Sequence, residues 1–497
     1  MKNRPLCSPR LLYWGAAVLV SGVFLTAGLY RTATVSRTAV LNEAVCRQLL
    51  SGSTAGRQAL VASVWHPPFP VLFRLPAAAA TRGFPLSSLL VSAVFGAAAL
   101  VLTERVLRKW GAGRIRYILL AAFALNPLFL KGCISGSVSP SAVFLTVLTA
   151  YGLSEWTRHR RLKGIIYMGL GIAGLAGVSF QMYGWLAAVA VMLAIDLTAG
   201  SYERGQREGV LVLTLFPPVY VLAVWVLGNW LVMGDPLYFI RSLTSGQLAS
   251  QVRFASDDPV GAGYYLAGGL CAALALLCAV RSKQAPGFTA LLAAAPVVSV
   301  LWMNARGILW GWEPVLASAG SMCVLALGHV SGGRAAGGKM AAVISAAAAL
   351  GVVASLWLWG SAPSEAAGKD GPAGADLDWV TDLKRRVLTC SRHAAVFACG
   401  YDSLIFADKA KPDSVVIPSL DFDFDRVRTA YPGRRLYVLV PRPEGVNSAE
   451  SVFRRHRRFY DRGGERTLAA GRWGDGWRLF EIIQAPRPLS SGPVSSP

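Results

Sequence analysis

Residues 11–29, LLYWGAAVLVSGVFLTAGL, contain no charged side chain, and neither do residues 84–102, FPLSSLLVSAVFGAAALVL. A helix of about 20 apolar residues crosses the hydrocarbon of a bilayer. Runs near that length open at about Leu11, Phe84, Tyr117, Ser141, Gly164, Met182, Val210, Val260, Gly287, Arg306 and Met340, with those from Tyr117 and Gly164 the shortest. They predict an α-helical polytopic membrane protein of about eleven transmembrane helices, surrounded by membrane lipids. No small-residue cleavage pattern follows the first run, so it is expected to stay as an anchor. Composition agrees: 54% of the 497 residues are hydrophobic and 15% charged, against about 25% charged in a soluble domain.

The charge is unevenly placed. Residues 1–360 hold 28 Lys and Arg against 10 Asp and Glu, whereas residues 361–497 hold 21 against 17. The first part reads as a multi-span membrane domain, the second as a tail long enough to bury its own core. Basic residues cluster in every second short loop: Arg105 to Arg116, Arg158 to Lys163, Arg204 and Arg207, Arg281 and Lys283, Arg334 and Lys339. Lys2, Arg4 and Arg10 put the N-terminus on that same side, which the positive-inside rule makes cytoplasmic. The loops 30–83 and 234–259 and the tail then face outward. Richness in Ala, Gly and Arg suits a bacterial inner membrane, with the tail in the periplasm. Cations spread over loops, rather than over one folded face, exclude nucleic acid as a partner.

The tail opens with a linker, 361–375, rich in Gly, Ala, Ser and Pro. In 376–497, strands are expected at Ala394–Cys399, Ser414–Pro418 and Arg435–Pro441, helices at Leu377–Leu388, Phe422–Tyr431 and Ala449–Tyr460, and a final hairpin from Thr467–Arg472 and Trp477–Ile483. Alternating strands and helices predict a small α/β domain. No glycine-rich loop follows a strand, so no nucleotide site is expected. Among eight cysteines, Cys390 and Cys399 flank a helix-to-strand turn, and an oxidising compartment leaves a bridge open. No CxxC or His-rich spacing suggests zinc or haem.

The informative loop reads Ala39-Val40-Leu41-Asn42-Glu43-Ala44-Val45-Cys46-Arg47, then Trp65-His66-Pro67-Pro68-Phe69-Pro70. Glu43 is the only carboxylate in residues 1–103. On a short surface helix it could simply pair with Arg47 four residues on, a solvated contact of about 0.3–0.5 kcal/mol.

The layout resembles the GT-C superfamily of membrane glycosyltransferases, in the bacterial branch of protein-mannosyltransferase-like and aminoarabinose-transferase-like proteins. In that branch an acidic motif on a short helix follows the first span, and a Pro-Pro motif, often after His or Lys, leads into a second surface helix. Asn42-Glu43 and His66-Pro67-Pro68 occupy those places. Asn126-Pro127 through Ser135-Gly136-Ser137-Val138-Ser139-Pro140 resembles the family's stretch between two spans. Phe216-Pro217-Pro218, Trp225, Asn229 and Gly234-Asp235-Pro236-Leu237 resemble its seventh span and following loop. Two positions depart: Asn42 stands where the family has its first Asp, and Ser139 where it has Glu.

The resemblance implies sugar transfer from a polyprenyl-phosphate donor to a glycan, lipid or protein acceptor of the cell envelope. A departing phosphate needs no general acid, so one carboxylate suffices where a glycosidase uses two. Glu43 is then the base for the acceptor hydroxyl, with Asn42 beside it and His66 binding substrate, orienting Glu43, or structural. Lys131, Arg241, Arg253 and Arg306, near outer span ends, would hold the phosphate or snorkel to headgroups. Glu313, beside Trp310 and Trp312, is a possible second carboxylate. No cofactor is firmly implied. Asp257 and Asp258 are read as solvated loop residues, with a divalent cation left open. Three alternatives stay open: a degenerate relative, a noncatalytic scaffold whose tail binds an envelope partner, and a transporter or flippase. Against the last, no pair of Gly/Pro-broken spans repeats in two halves.

Overall fold

A computed structural model describes residues 9–30, 35–62, 67–81, 86–199 and 204–240, most of 315–325, and, between 382 and 483, five strands with short adjoining stretches. The chain divides into two compact units, Met1–Gly374 and Ala375–Pro497.

In the first unit, helices α1 (Pro9–Tyr30) and α5 (Leu86–Lys109) form from the two charge-free runs quoted above. Between them the loop folds into α2 (Arg37–Leu50), α3 (Thr54–Ala62) and α4 (Phe69–Ala80). Then follow α6 (Ile115–Ala124), α7 (Pro127–Ser135), α8 (Ser139–His159), α9 (Leu162–Val178), α10 (Tyr183–Ala199) and α11 (Arg204–Met233). Among the described residues, Leu86–Lys109 and Gly205–Met233 are long and apolar enough to cross a membrane. The described positions of 315–325 are helical. The runs expected from Val260, Gly287 and Met340 lie outside the described residues.

The run from Tyr117 is not one straight span. It breaks into α6 and α7, bent by 55°. Asn126 caps the new helix, its side chain accepting from the Leu128 N–H at 3.0 Å, and Pro127 fills the first turn, where no N–H is needed. Helices α8 and α9 pack backbone to backbone. A Cβ on Gly152 would lie 2.6 Å from the Gly164 carbonyl oxygen, and one on Gly164 would lie 2.7 Å from that of Gly152. Small residues allow such close approach between helices.

The second unit is built on a five-stranded sheet of order β2-β1-β3-β5-β4: β1 Ala394–Cys399, β2 Val416–Ser419, β3 Arg435–Pro441, β4 Thr467–Trp473 and β5 Trp477–Ile482. Strand β1 runs parallel to both β2 and β3, and β5 is antiparallel to β3 and β4. Strand β1 is buried throughout, as a central parallel strand covered on both faces should be. One face packs Phe397, Val438 and Phe480 with Val427, Val452 and Phe459; the other packs Val396, Leu439 and Leu479 with Leu383 and Val387. Of the helix expected over Ala449–Tyr460, Val452 is helical and Phe459 and Tyr460 begin helix α12 (Phe459–Arg462), while His456 and Arg458 are not helical; the other positions from 449 to 457 lie outside the described residues. Cys399 ends β1, buried; Cys390 lies outside the described residues.

Candidate active site

Four segments of the first unit meet around Glu43. Helix α2 is started by Ser36, whose hydroxyl accepts from the Ala39 N–H at 3.2 Å and whose own N–H donates to the Ser135 carbonyl at 2.9 Å. Capping therefore also ties α2 to the end of α7. Gly136 follows in the left-handed region, with φ of 73°. A Cβ there would lie 3.0 Å from the Ala39 Cβ and 3.2 Å from the Ser88 Cβ. Only glycine fits this turn where it wedges between α2 and α5.

Glu43 is fully buried. The Ser87 hydroxyl donates to its Oε2, and the Ser88 Oγ lies 3.5 Å from the same oxygen. Arg47 Nε is 3.6 Å from Oε1, and among the described residues Oε1 has no hydrogen-bond partner. The pairing of Glu43 with Arg47 expected from the sequence is therefore present. It is not a solvated surface contact, because the carboxylate is enclosed by α5 and the Gly136 turn. Asn42, next to it, is 7% exposed, and its Nδ2 has no hydrogen-bond partner among the described residues.

Beneath this carboxylate lies Arg74 of α4, 2% exposed. Its Nε donates to Ser88 Oγ at 3.1 Å, Nη1 to the Pro70 carbonyl at 2.7 Å, and Nη2 to the carbonyls of Gly136 at 2.9 Å and Ser137 at 3.2 Å. Burial pushes its guanidinium down to about 10, opposed by the nearby Cys46 and Glu43, so it is charged at neutral pH. Cys46, also buried, donates to the Val71 carbonyl at 3.4 Å. Burial pushes that thiol up to about 12, the charge of Arg74 working against the rise. Cys46 is thus protonated, and no nucleophile.

Of the residues expected from the sequence, Asn42 and Glu43 are brought together at this centre. Lys131 is half-buried on α7, upstream of Gly136. His66, Arg241, Arg253, Arg306 and Glu313 lie outside the described residues, as do Asp257 and Asp258. Ser139, in place of the family's Glu, is 1% exposed at the start of α8. Among the described residues no group of three or more His, Cys, Asp or Glu could hold a metal. Sequence reasoning missed Arg74, Ser87 and Ser88. One signal was present: Arg74 is the single charge in FPVLFRLPAAAA, and a lone charge in an apolar helix must find protein partners.

No family model matches the chain, and no curated protein matches it. Among solved structures, ArnT from Cupriavidus metallidurans bound to undecaprenyl phosphate aligns with a TM-score of 0.52 at 9% identity, over 96% of this chain and 98% of that one. The same protein in the apo state aligns with a TM-score of 0.49 at 11% identity, over 96% and 99%. The ligand-bound comparison shows that this chain shares the fold of that structure.

Proposed function

We propose that this protein, built on the GT-C fold, transfers a sugar from a polyprenyl-phosphate donor to a hydroxyl acceptor of the bacterial envelope. The observation that carries the reading is Glu43. It is a buried carboxylate beside the start of α5 that accepts from the Ser87 hydroxyl and, among the described residues, pairs with Arg47 alone, at the place where the sequence resembles the family's acidic motif. The solved structure of similar fold, bound to undecaprenyl phosphate, supports a lipid-phosphate donor.

The chemistry follows from the leaving group. The acceptor oxygen attacks the anomeric carbon, the bond from that carbon to phosphate oxygen breaks, and the lipid phosphate departs with the electron pair. Glu43 takes the acceptor proton as the new bond forms. Cations offset the charge of the phosphate; Lys131, Arg241, Arg253 and Arg306 are assigned this task. Arg74 is not, because it donates to four protein oxygens.

The test is reconstitution of the full chain in lipid vesicles with a polyprenyl-phosphate sugar and an envelope extract, with products read by mass spectrometry. Sugar appearing on an acceptor, with equimolar lipid phosphate released, is the expected result. Movement of unaltered lipid-linked sugar across the bilayer would replace the reading with a flippase. Neither outcome would leave a scaffold.

A further inference from the structure

We infer that Arg74 is a positioning residue: it fixes Glu43 for proton abstraction by clamping α4, the Gly136–Ser137 turn and the Ser88 hydroxyl against α2. The role in proton transfer rests on the function proposed above; the clamp does not.

A guanidinium carries five N–H donors in one rigid plane. Arg74 uses them across three segments distant in sequence: Pro70 on its own helix, Ser88 on α5, and the turn at Gly136 and Ser137. The Ser88 hydroxyl accepts from Arg74 and donates to the Ala39 carbonyl at 3.0 Å, one helical turn before Glu43, while lying 3.5 Å from the Glu43 carboxylate. A second bond, from Ser92 Oγ to the Ser137 carbonyl at 2.7 Å, fastens the turn to α5 from the other side. The chain from Arg74 through Ser88 to Ala39 therefore joins the turn to α2, beside the Ser36–Ser135 bond and the contact of Gly136 with Ala39.

The charge is costly to place here. Among the described residues no carboxylate forms an ion pair with Arg74, and burying an unpaired cation is unfavourable. A neutral side chain would meet one or two of these oxygens without that cost. What arginine adds is reach to all four at once, and so a fixed distance between α4, α5 and the turn. A residue needed only for folding would, when replaced, reduce the amount of folded protein and leave each folded molecule at full rate. A positioning residue lowers the rate of each folded molecule.

Two variants of the full chain in lipid nanodiscs separate these cases, each measured per folded molecule. Ser88→Ala removes the hydroxyl that joins Arg74 to α2 and lies 3.5 Å from the Glu43 carboxylate. Its kcat is expected to fall about tenfold, with KM for the polyprenyl-phosphate sugar within about threefold of wild type. Arg74→Lys keeps the charge and loses the planar fork; kcat is expected to fall about a hundredfold, again with little change in KM. Unchanged kcat in both variants overturns the positioning role. A raised KM with full kcat overturns it too, and makes Arg74 a donor-binding residue.

A third readout needs no turnover. Cys46 lies buried against α4. If Arg74 clamps that helix, Arg74→Lys should speed alkylation of Cys46, followed by peptide mass spectrometry, by about tenfold through local opening. Unchanged alkylation overturns the clamp even if the wild-type protein transfers no sugar. Faster alkylation with no transfer by the wild type upholds the clamp and sinks only the proposed function.

Discussion

Two buried carboxylates bracket α5, and they are held by opposite chemistry. At its start, Glu43 meets the hydroxyls of Ser87 and Ser88, with Arg47 at 3.6 Å as its ion-pair partner. At its end, Glu155 meets three cations: Lys109 at 2.5 Å, Lys163 at 3.7 Å and Arg161 at 3.8 Å. Ser87 and Lys109 lie 22 residues apart along the helix, about 33 Å at 1.5 Å per residue. Near the span's far end, then, a carboxylate is saturated with positive charge and joins α5 to α8 and α9. It is a clasp, and taking up a proton would break it. A serine hydroxyl can donate to a carboxylate or accept from a carboxylic acid, so the surroundings of Glu43 accommodate both states that a base must pass through. Burial alone does not separate the two residues, since both are nearly inaccessible. The partners do.

Three substitutions should widen or close this contrast. Gly136→Ala should have the largest effect. It forces a side chain into a left-handed turn and against Ala39 and Ser88, at a cost of about 1–3 kcal/mol. Sugar transfer should fall at least about tenfold, with a lower thermal midpoint, while the α5–α8 clasp is untouched. Glu155→Gln should act the other way. Its cations are 40–56% exposed, so solvent softens the loss to about 1–2 kcal/mol, read as a lower thermal midpoint with transfer per folded molecule unchanged. Arg47→Gln should have the smallest effect: under about 1 kcal/mol and less than about threefold in rate, because the pair is long and Arg47 is partly exposed. A large loss from Arg47→Gln would mean that Glu43, like Glu155, is chiefly an ion-pair partner.

How much of this was legible depended on scale. Strands β1 and β3 were expected at their observed bounds, because β-branched and aromatic residues concentrate there between turn residues. The break in the run from Tyr117 was obscured because hydropathy averages across Asn126-Pro127; the capping pair was visible, but its consequence is a bend rather than a loss of apolarity. Glu43 was singled out by its isolation in sequence. Its burial was not legible, since Ser87, Ser88 and Gly136 lie more than forty residues away and serines at the start of an apolar run carry no hydropathy signal. Arg74 is hard to read for a related reason: it sits inside a short apolar helix rather than at a span end, and its partners are chiefly backbone carbonyls that no sequence pattern displays.

The most direct test of the contrast is the transfer rate of Glu43→Gln and Glu155→Gln, measured side by side with a polyprenyl-phosphate sugar and normalised to folded protein. Glutamine preserves size in both. If Glu43 is the base, its variant should lose about 10²–10⁴-fold in rate, and the Glu155 variant should stay within about threefold of wild type. Near-full transfer by Glu43→Gln, or equal losses from both variants, would contradict the account.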